Sequence, residues 1–426
     1  MTVFFYNIFL WLYVAGVRVA SIWDVKARKW LRGRQRIFDN IQSAIDSGSQ
    51  TIWIHCSSLG EFEQGQPVIE KIKALFPNLK VMVTFFSPSG YEVKKSYTGV
   101  DYVFYLPMDS RKNARKFLSL VNPCIVIFIK YDYWYYYLDE IKNRKINCLL
   151  ISAVFRTGQS FFKSYGDLQR KMLRCFTYIF VQNEQSKRLL NTINIQDCSV
   201  AGDTRFDRVA EIAAKFEPIA IVEEFAGNDK CIVAGSTWKE DEEVLQKVLV
   251  KLNESNLKLI IAPHEIDAVH LGYLEKLFPT STKFSSLVAD QRTGSNDSRV
   301  KSSSNILIID NIGMLSRLYK YAYIAYVGGG FTKDGVHNVL EAAVYGKPVV
   351  FGYHYKKYKE AIDLVDCAGA KTFVDENELH QVVVKLLHDE EDYRRRCLAA
   401  KKYVQENVGA TKKILSYIEE KRLLTS

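Results

Sequence analysis

The chain is poor in the signatures of metal-bound and disulfide-stapled proteins. Its eight cysteines, at 56, 124, 148, 175, 198, 231, 367 and 397, are scattered, with no CxxC and no close Cys/His pairing. That spacing argues against the usual zinc modules and against an extracellular scaffold, and it fits reduced, buried thiols in a cytoplasmic protein. No apolar stretch near the N-terminus reaches the roughly 20 residues that a bilayer crossing needs. The run from Val3 to Val17 is shorter and is interrupted by Asn7. Its positive charge follows the apolar segment, the reverse of a cleavable signal peptide. Around the glycine cluster at 328–330 the spacing is neither G-x-G-x-x-G nor G-x-x-x-x-G-K-[ST], so neither a dinucleotide fingerprint nor a P-loop is implied. No internal repeat and no Asp-x-Asp metal motif in the second half is visible.

What is present is size, apolar content and a local concentration of positive charge. With 426 residues, 48% of them hydrophobic, the chain is long enough for two domains, each with its own core. The net charge is +10, and much of it is concentrated between Arg18 and Arg36, where Lys and Arg face a single acid, Asp24. A basic cluster directly after an apolar segment points to an anionic membrane surface, because it holds the following chain on the cytoplasmic side. Residues 1–36 are therefore read as an uncleaved anchor or an in-plane helix. Nucleic acid is disfavoured as a partner, since the basic residues do not line an extended aromatic groove.

From Thr51 the sequence alternates short apolar β-prone runs with helical segments. The first series is Thr51–Cys56, Lys80–Phe86, Asp101–Leu106, Cys124–Lys130, Asn147–Val154 and Tyr178–Gln182; a strand and turn follow at Cys198–Val209. The second is Cys231–Ala234, Leu257–Ala262, Ile306–Ile309, Tyr323–Val327 and Pro348–Phe351. Such alternation implies α/β architecture, with parallel sheets covered on both faces. Ser281–Asn305, polar and serine-rich, reads as an exposed insertion. Ligands of doubly wound sheets bind at the carboxyl ends of the strands, so the residues that follow strands are the candidates.

Several such loops carry suitable chemistry. After Thr51–Cys56 come Ser57-Ser58-Leu59-Gly60-Glu61, where a carboxylate in the first turn of a helix is placed to act as a general base. The same Ser-x-x-Glu spacing also suits a capping box between Ser58 and Glu61. Gly235-Ser236-Thr237-Trp238 and Pro263-His264-Glu265 put donors at two further strand ends, and Ser236 and Thr237 also suit N-capping. Asn311-Ile312-Gly313-Met314 follows another strand. After Tyr323–Val327, Gly328, Gly329 and Gly330 allow close backbone approach to a ligand. His337 or Asn338 then opens a helix whose first backbone N–H groups suit a phosphate, and Glu341 is placed to accept ribose hydroxyls.

In combination, Ser-Leu-Gly-Glu at 58–61, Gly-Ser-Thr-Trp at 235–238, Ala-Pro-His-Glu at 262–265 and Val-Gly-Gly-Gly-Phe through His-Asn-Val-Leu-Glu-Ala-Ala at 327–343 resemble the 3-deoxy-D-manno-octulosonic acid (Kdo) transferases of lipopolysaccharide synthesis. The resemblance covers nearly the whole chain. It implies a GT-B glycosyltransferase, with two Rossmann-like doubly wound domains facing a central cleft and an N-terminal membrane-associated segment. On that basis residues 37–209 form the acceptor domain and residues 210–426 the CMP-sugar domain with the C-terminal helices. The implied reaction moves Kdo from CMP-Kdo to a lipid A precursor of the lipid IVA type at the cytoplasmic face of the inner membrane. It inverts the anomeric carbon and uses no bound metal or other cofactor.

The resemblance also assigns residues. Glu61 matches the catalytic base, and Ser236, Thr237, Gly313, Met314, His337, Asn338 and Glu341 match nucleotide contacts, with His264 and Gly328 to Gly330 lining the same pocket. Ser58, Gly60, Asp132 and Arg156 are candidates for the acceptor side. The chain departs from the family where Glu-x-Glu-x-Trp is usual, having Lys130-Tyr131-Asp132-Tyr133-Trp134. It also has Ser152-Ala153-Val154 where Asn-Ala-Arg is usual, and Pro263-His264-Glu265 lacks the usual arginine. Two other readings stand beside this one: another GT-B enzyme using a UDP-sugar, and a catalytically silent membrane-associated nucleotide-binding protein.

Overall fold

A computed structural model of the chain describes residues 2–46, 48–252, 254, 256–293 and 304–424, with the side chains of 291–293 outside that description. Two seven-stranded parallel sheets account for the strands. In the first, Thr51–Cys56 (β1), Lys80–Phe85 (β2), Tyr102–Tyr105 (β3), Pro123–Ile129 (β4), Asn147–Ala153 (β5), Tyr178–Val181 (β6) and Cys198–Val200 (β7) lie in the order β3-β2-β1-β4-β5-β6-β7. In the second, Lys230–Thr237 (β8), Leu257–Pro263 (β9), Thr282–Lys283 (β10), Ile306–Ile308 (β11), Ile324–Val327 (β12), Val349–Gly352 (β13) and Ala370–Phe373 (β14) lie in the order β10-β11-β9-β8-β12-β13-β14. Each sheet starts at an interior strand, grows to one side and then crosses over to the other. This is the Rossmann-like doubly wound plan.

The strands are apolar on both faces because both faces are covered. In β1, Ile52, Ile54 and Cys56 join a core layer with Val81, Val83, Ile125 and Ile127. Trp53 points the other way, into a layer with Met82, Val126, Phe128 and Leu150. Two-residue periodicity thus divides one strand between two cores. In the second unit, Ile232, Ala234, Leu259, Ile261, Tyr326 and Val350 form the corresponding layer with helix residues Leu245, Val248, Leu379 and Val383.

The chain divides by contacts into one unit ending at Arg208 and resuming at Val408, and a second from Val209 to Asn407. The last helix, Ala410–Glu420, was expected with the CMP-sugar domain, yet it packs on the first unit. Ala410, Ile414, Leu415 and Ile418 bury themselves in the β1 layer, Asp207 accepts the N–H groups of Gly409 and Thr411, and Tyr417 stacks on Tyr178. An apolar helical stripe follows whichever face lacks a cover, not its place in the sequence.

Two further expectations change. Within 281–305, Thr282–Lys283 is the edge strand β10 and Phe284–Thr293 is a helix, so this part belongs to the fold and is not an insertion. Residues 294–303 lie outside the described residues. The helix expected after the glycine cluster is a single turn, Leu340–Ala343, ended by Gly346 at φ 64°. One turn sums little dipole, so a phosphate there would be held by individual N–H groups.

The segment Val3–Ala20 is one helix, the only one among the described residues long and apolar enough to cross a membrane. Tyr6 and Leu10 are buried against the first unit. Phe4, Phe5, Phe9, Trp11 and Leu12 are exposed.

Candidate active site

The carboxyl ends of β1, β4 and β5 carry the charged candidates. The helix after β1 runs from Leu59 to Leu75, with Ser58 as its extended cap residue and Glu61 in its first turn. The Ser58 hydroxyl donates to Glu61 Oε2 and makes no capping bond to the backbone. No Ser58 capping bond therefore forms, and the hydroxyl serves the carboxylate. Glu61 is half-buried, and Gly60 beside it is exposed. The helix is held tightly to the sheet, since a Cβ on Gly65 would come within 1.9 Å of Ile129 Cδ1. The Thr204 hydroxyl donates to the Gln64 carbonyl and also contacts Ser152 Oγ at 3.1 Å. Ser152 sits at φ 55°, where the pairing of β5 with β6 loses register. Such a bulge re-aims a side chain.

Lys130, directly after β4, also has a left-handed backbone at φ 69° and starts the loop bearing Tyr131 and Asp132. Asp132 Oδ2 lies 2.8 Å from Nε2 of the fully buried His55, whose Nδ1 is 2.9 Å from Thr84 Oγ1. Trp53 Nε1 donates to the same Thr84 oxygen at 2.8 Å. Since indole only donates, the threonine proton is left for His55 Nδ1, and His55 Nε2–H then points at the Asp132 carboxylate. Asp132 is thus fixed from behind by a chain of three buried groups. Burial pushes the Tyr131 hydroxyl up; the Arg156 guanidinium opposes this and the Glu61 carboxylate adds to it. Tyr131, Glu61 and Arg156 therefore share one neighbourhood.

Arg34, from the basic N-terminal cluster, does not face solvent. Its guanidinium donates to the carbonyls of Trp30, Phe86 and Leu106 and lies 3.9 Å from the Trp30 ring centroid, with Phe86 and Tyr105 close by. Burial lowers it to about 9. Arg34 thus spends its donors on the protein's own carbonyls and not on a surface partner.

In the second unit the donors converge on β8, β9 and β12. Ser236 and Thr237, expected in a loop, are the end of β8, and its pairing with β9 loses register between Gly235 and Thr237, with Ser236 at φ 52°. Thr237 is buried and its hydroxyl donates to Glu242 Oε1 at 2.8 Å, so it shapes the site from behind. The backbone stitches the loops together. Gly328 N donates to Gly235 O, His337 N to Gly328 O, and His264 N to Thr237 O.

The three glycines make room for the protein's own backbone. A Cβ on Gly328 would lie 2.3 Å from Ser236 O, and one on Gly330 would lie 2.4 Å from Gly352 N. Gly329 has φ 86° and donates its N–H to Asp241 Oδ2 at 2.9 Å. Asp241 also accepts the Trp238 N–H at 3.0 Å and the Tyr326 hydroxyl at 2.7 Å. Burial nevertheless pushes it up to about 6, against those three bonds.

The rings of Trp238, His264 and His337 are nearly parallel, His264 lying 4.6 Å from each of the other two. Trp238 Nε1 donates to His337 Nε2 at 3.0 Å. Burial, with the neighbouring His264, lowers His337 to about 4. Asn338 Oδ1 accepts the Leu340 N–H and its Nδ2 donates to Glu341 Oε1, so two candidate nucleotide contacts are linked. The Gly313–Met314 loop joins the group through the helix after it, whose Leu315 and Tyr319 crowd Gly235. Among the described residues no three His, Cys, Asp or Glu side chains are grouped to hold a metal ion.

A family described as Glycos_transf_N, 3-deoxy-D-manno-octulosonic-acid transferase, matches residues 31–208. A 3-deoxy-D-manno-octulosonic acid transferase of Haemophilus influenzae is 23% identical over 426 residues, covering 96% of this chain and 95% of that protein. The chain is similar to the Kdo transferases, by the family model over residues 31–208 and by the Haemophilus protein over nearly its whole length. A bifunctional glycosyltransferase/methyltransferase of Fusobacterium nucleatum is 26% identical over 343 residues, covering 76% of this chain and 51% of that protein. The chain spans between 51% and 64% of the length of several such relatives. Its fold is similar to that of UDP-GlcNAc 2-epimerase from Neisseria meningitidis bound to UDP-GlcNAc, with a TM-score of 0.60 at 16% identity, over 87% of this chain and 100% of that one.

The second unit brings together Ser236, His264, Gly328 to Gly330 and His337, with Asn338 and Glu341 adjoining. The first unit brings together Ser58, Glu61 and Arg156, while Asp132 is held by His55. His55, Arg34, Trp238 and Asp241 escaped assignment. The signal for His55 was a polar residue inside the apolar run TIWIHC, whereas Asp241 had no such local signal.

Proposed function

We propose that the chain is an inverting, metal-independent glycosyltransferase that moves Kdo from CMP-Kdo to a lipid A precursor of the lipid IVA type. In this reading Glu61 takes the proton from an acceptor hydroxyl. The freed oxygen forms a bond to the anomeric carbon of Kdo from the face opposite CMP, and the bond to the phosphate oxygen breaks, its electron pair leaving with CMP. The observation that carries the reading is Glu61 itself, a half-buried carboxylate in the first turn of a helix at the carboxyl end of β1, held by the Ser58 hydroxyl. The likeness to Kdo transferases supports the sugar. Ser236 and His337 support the nucleotide, since a leaving phosphate gains charge that oriented donors stabilise, and Glu341 suits the ribose hydroxyls.

The docked helix Val3–Ala20 supports a place at the cytoplasmic face of the inner membrane. One face packs on the protein through Tyr6 and Leu10, and the other offers Phe4, Phe5, Phe9, Trp11 and Leu12. That arrangement suits a helix lying in the membrane plane beside basic residues. Glu61→Ala tests the mechanism. Transfer from CMP-Kdo should fall by about 10²–10⁴, the contribution of a general base, with CMP binding unchanged. An active Glu61→Ala enzyme would remove Glu61 from the reaction.

A further inference from the structure

An indole N–H can only donate, and the Trp238 Nε1–H points at His337 Nε2 across 3.0 Å, with the two ring planes within 10° of parallel. His337 Nε2 must therefore carry a lone pair, which leaves Nδ1–H as the ring's one donor. A proton added at Nε2 would set two donors against each other and break the bond. The ring cannot readily turn to escape this. A Cβ on Gly329 would come within 2.8 Å of His337 Cδ2, so the glycine loop lies against one side of it, and His264 stacks on a face at 4.6 Å.

We propose that Trp238 is a positioning residue that locks His337 as a neutral Nδ1–H donor, so that the second unit offers the nucleotide phosphate an uncharged, fixed hydrogen bond. This rests on the nucleotide-binding reading of the second unit. The chemistry suits a leaving CMP, whose phosphate departs as a stable anion and needs no proton, only a donor already oriented when its charge grows. The groups facing His337 are His264, which opposes its protonation, Asp334, which favours it, and Trp238, whose own backbone N–H is held by Asp241. Burial and His264 act in the same direction as the indole bond.

The test uses the full-length enzyme labelled with ¹⁵N-histidine, the His337 signals being assigned by their loss in His337→Gln. The wild-type ring should show the Nδ1–H tautomer and resist protonation down to about pH 5 or below. Trp238→Phe keeps the aromatic surface but removes the donor. It should release the tautomer, raise the protonation midpoint of His337 by about one pH unit, and add a second, His337-dependent ionisation to the acid limb that the Glu61 base already gives kcat/KM. An Nε2–H tautomer in the wild type would overturn the proposal even if Trp238→Phe did not fold. An unchanged tautomer and pH profile in a folded Trp238→Phe would also overturn it. Failure of the wild type to use CMP-Kdo would instead strike the proposed function and leave the tautomer readout standing.

Discussion

Each of the two units contains a buried aspartate that accepts one tyrosine hydroxyl and two backbone N–H groups. In the first, Asp109 takes the hydroxyl of Tyr6 and the N–H groups of Tyr136 and Tyr137. In the second, Asp241 takes the hydroxyl of Tyr326 and the N–H groups of Trp238 and Gly329. Burial pushes both up to about 6. The same device fastens different things. Asp109 ties the N-terminal helix to the segment that follows the Asp132 loop, and Asp241 ties the glycine loop to Trp238. Around them the two carboxyl edges also differ: the first unit presents Glu61, Asp132 and Arg156, the second hydroxyls, glycine backbone and histidines. In the proposed reading one edge moves a proton and the other holds an anion.

Replacing either aspartate with alanine separates the two uses and gives the largest effects expected here. Each variant leaves three donors without an acceptor, at about 1–3 kcal/mol per group, so both should lower the melting temperature. Asp241→Ala should also weaken CMP binding by more than tenfold, whereas Asp109→Ala should leave CMP binding intact and expose the segment around Tyr6 to proteolysis. Loss of nucleotide binding in Asp109→Ala would break the comparison.

The titration of the two groups is the next largest effect. Their folded pKa of about 6 lies above the unfolded value of about 3.9. Their stabilising contribution is therefore complete below about pH 4 and is lost as pH rises through about 6, by at most about 3 kcal/mol each. Asparagine at either position should remove its share of that slope in denaturant melts taken between pH 4 and 7.

Ser58→Ala is the mildest test of the charged edge. It removes one donor to the Glu61 carboxylate, worth about 1.5–3 kcal/mol at most. A basic shift and a roughly tenfold loss in kcat/KM are expected, measured across pH, with the donor KM unchanged.

Much of the plan was legible in the sequence, because strands buried on both faces write themselves as continuous apolar runs. The edge strands β10 and β14 were missed, since a strand such as Ala370–Phe373, with Lys371 exposed, lacks that run. The glycines at 328–330 announced close approach but not to what; only the fold shows Gly328 against Ser236 and Gly330 against Gly352. Glu61 was legible from its place after a strand. Asp241 sits in Lys-Glu-Asp-Glu-Glu, which reads as a solvated helix start, and its burial follows from tertiary packing that no local pattern encodes. His55 and Asp132 are separated by most of three strands, and nothing in either neighbourhood names the other.

The most direct test of the account is to incubate the purified chain with CMP-Kdo and a lipid A precursor in mixed micelles and weigh the lipid by mass spectrometry. The account predicts a product heavier by one or more Kdo residues, formed with release of CMP and absent with Glu61→Ala. An unmodified lipid in the presence of intact CMP-Kdo, or an equal product from the Glu61→Ala variant, would contradict it.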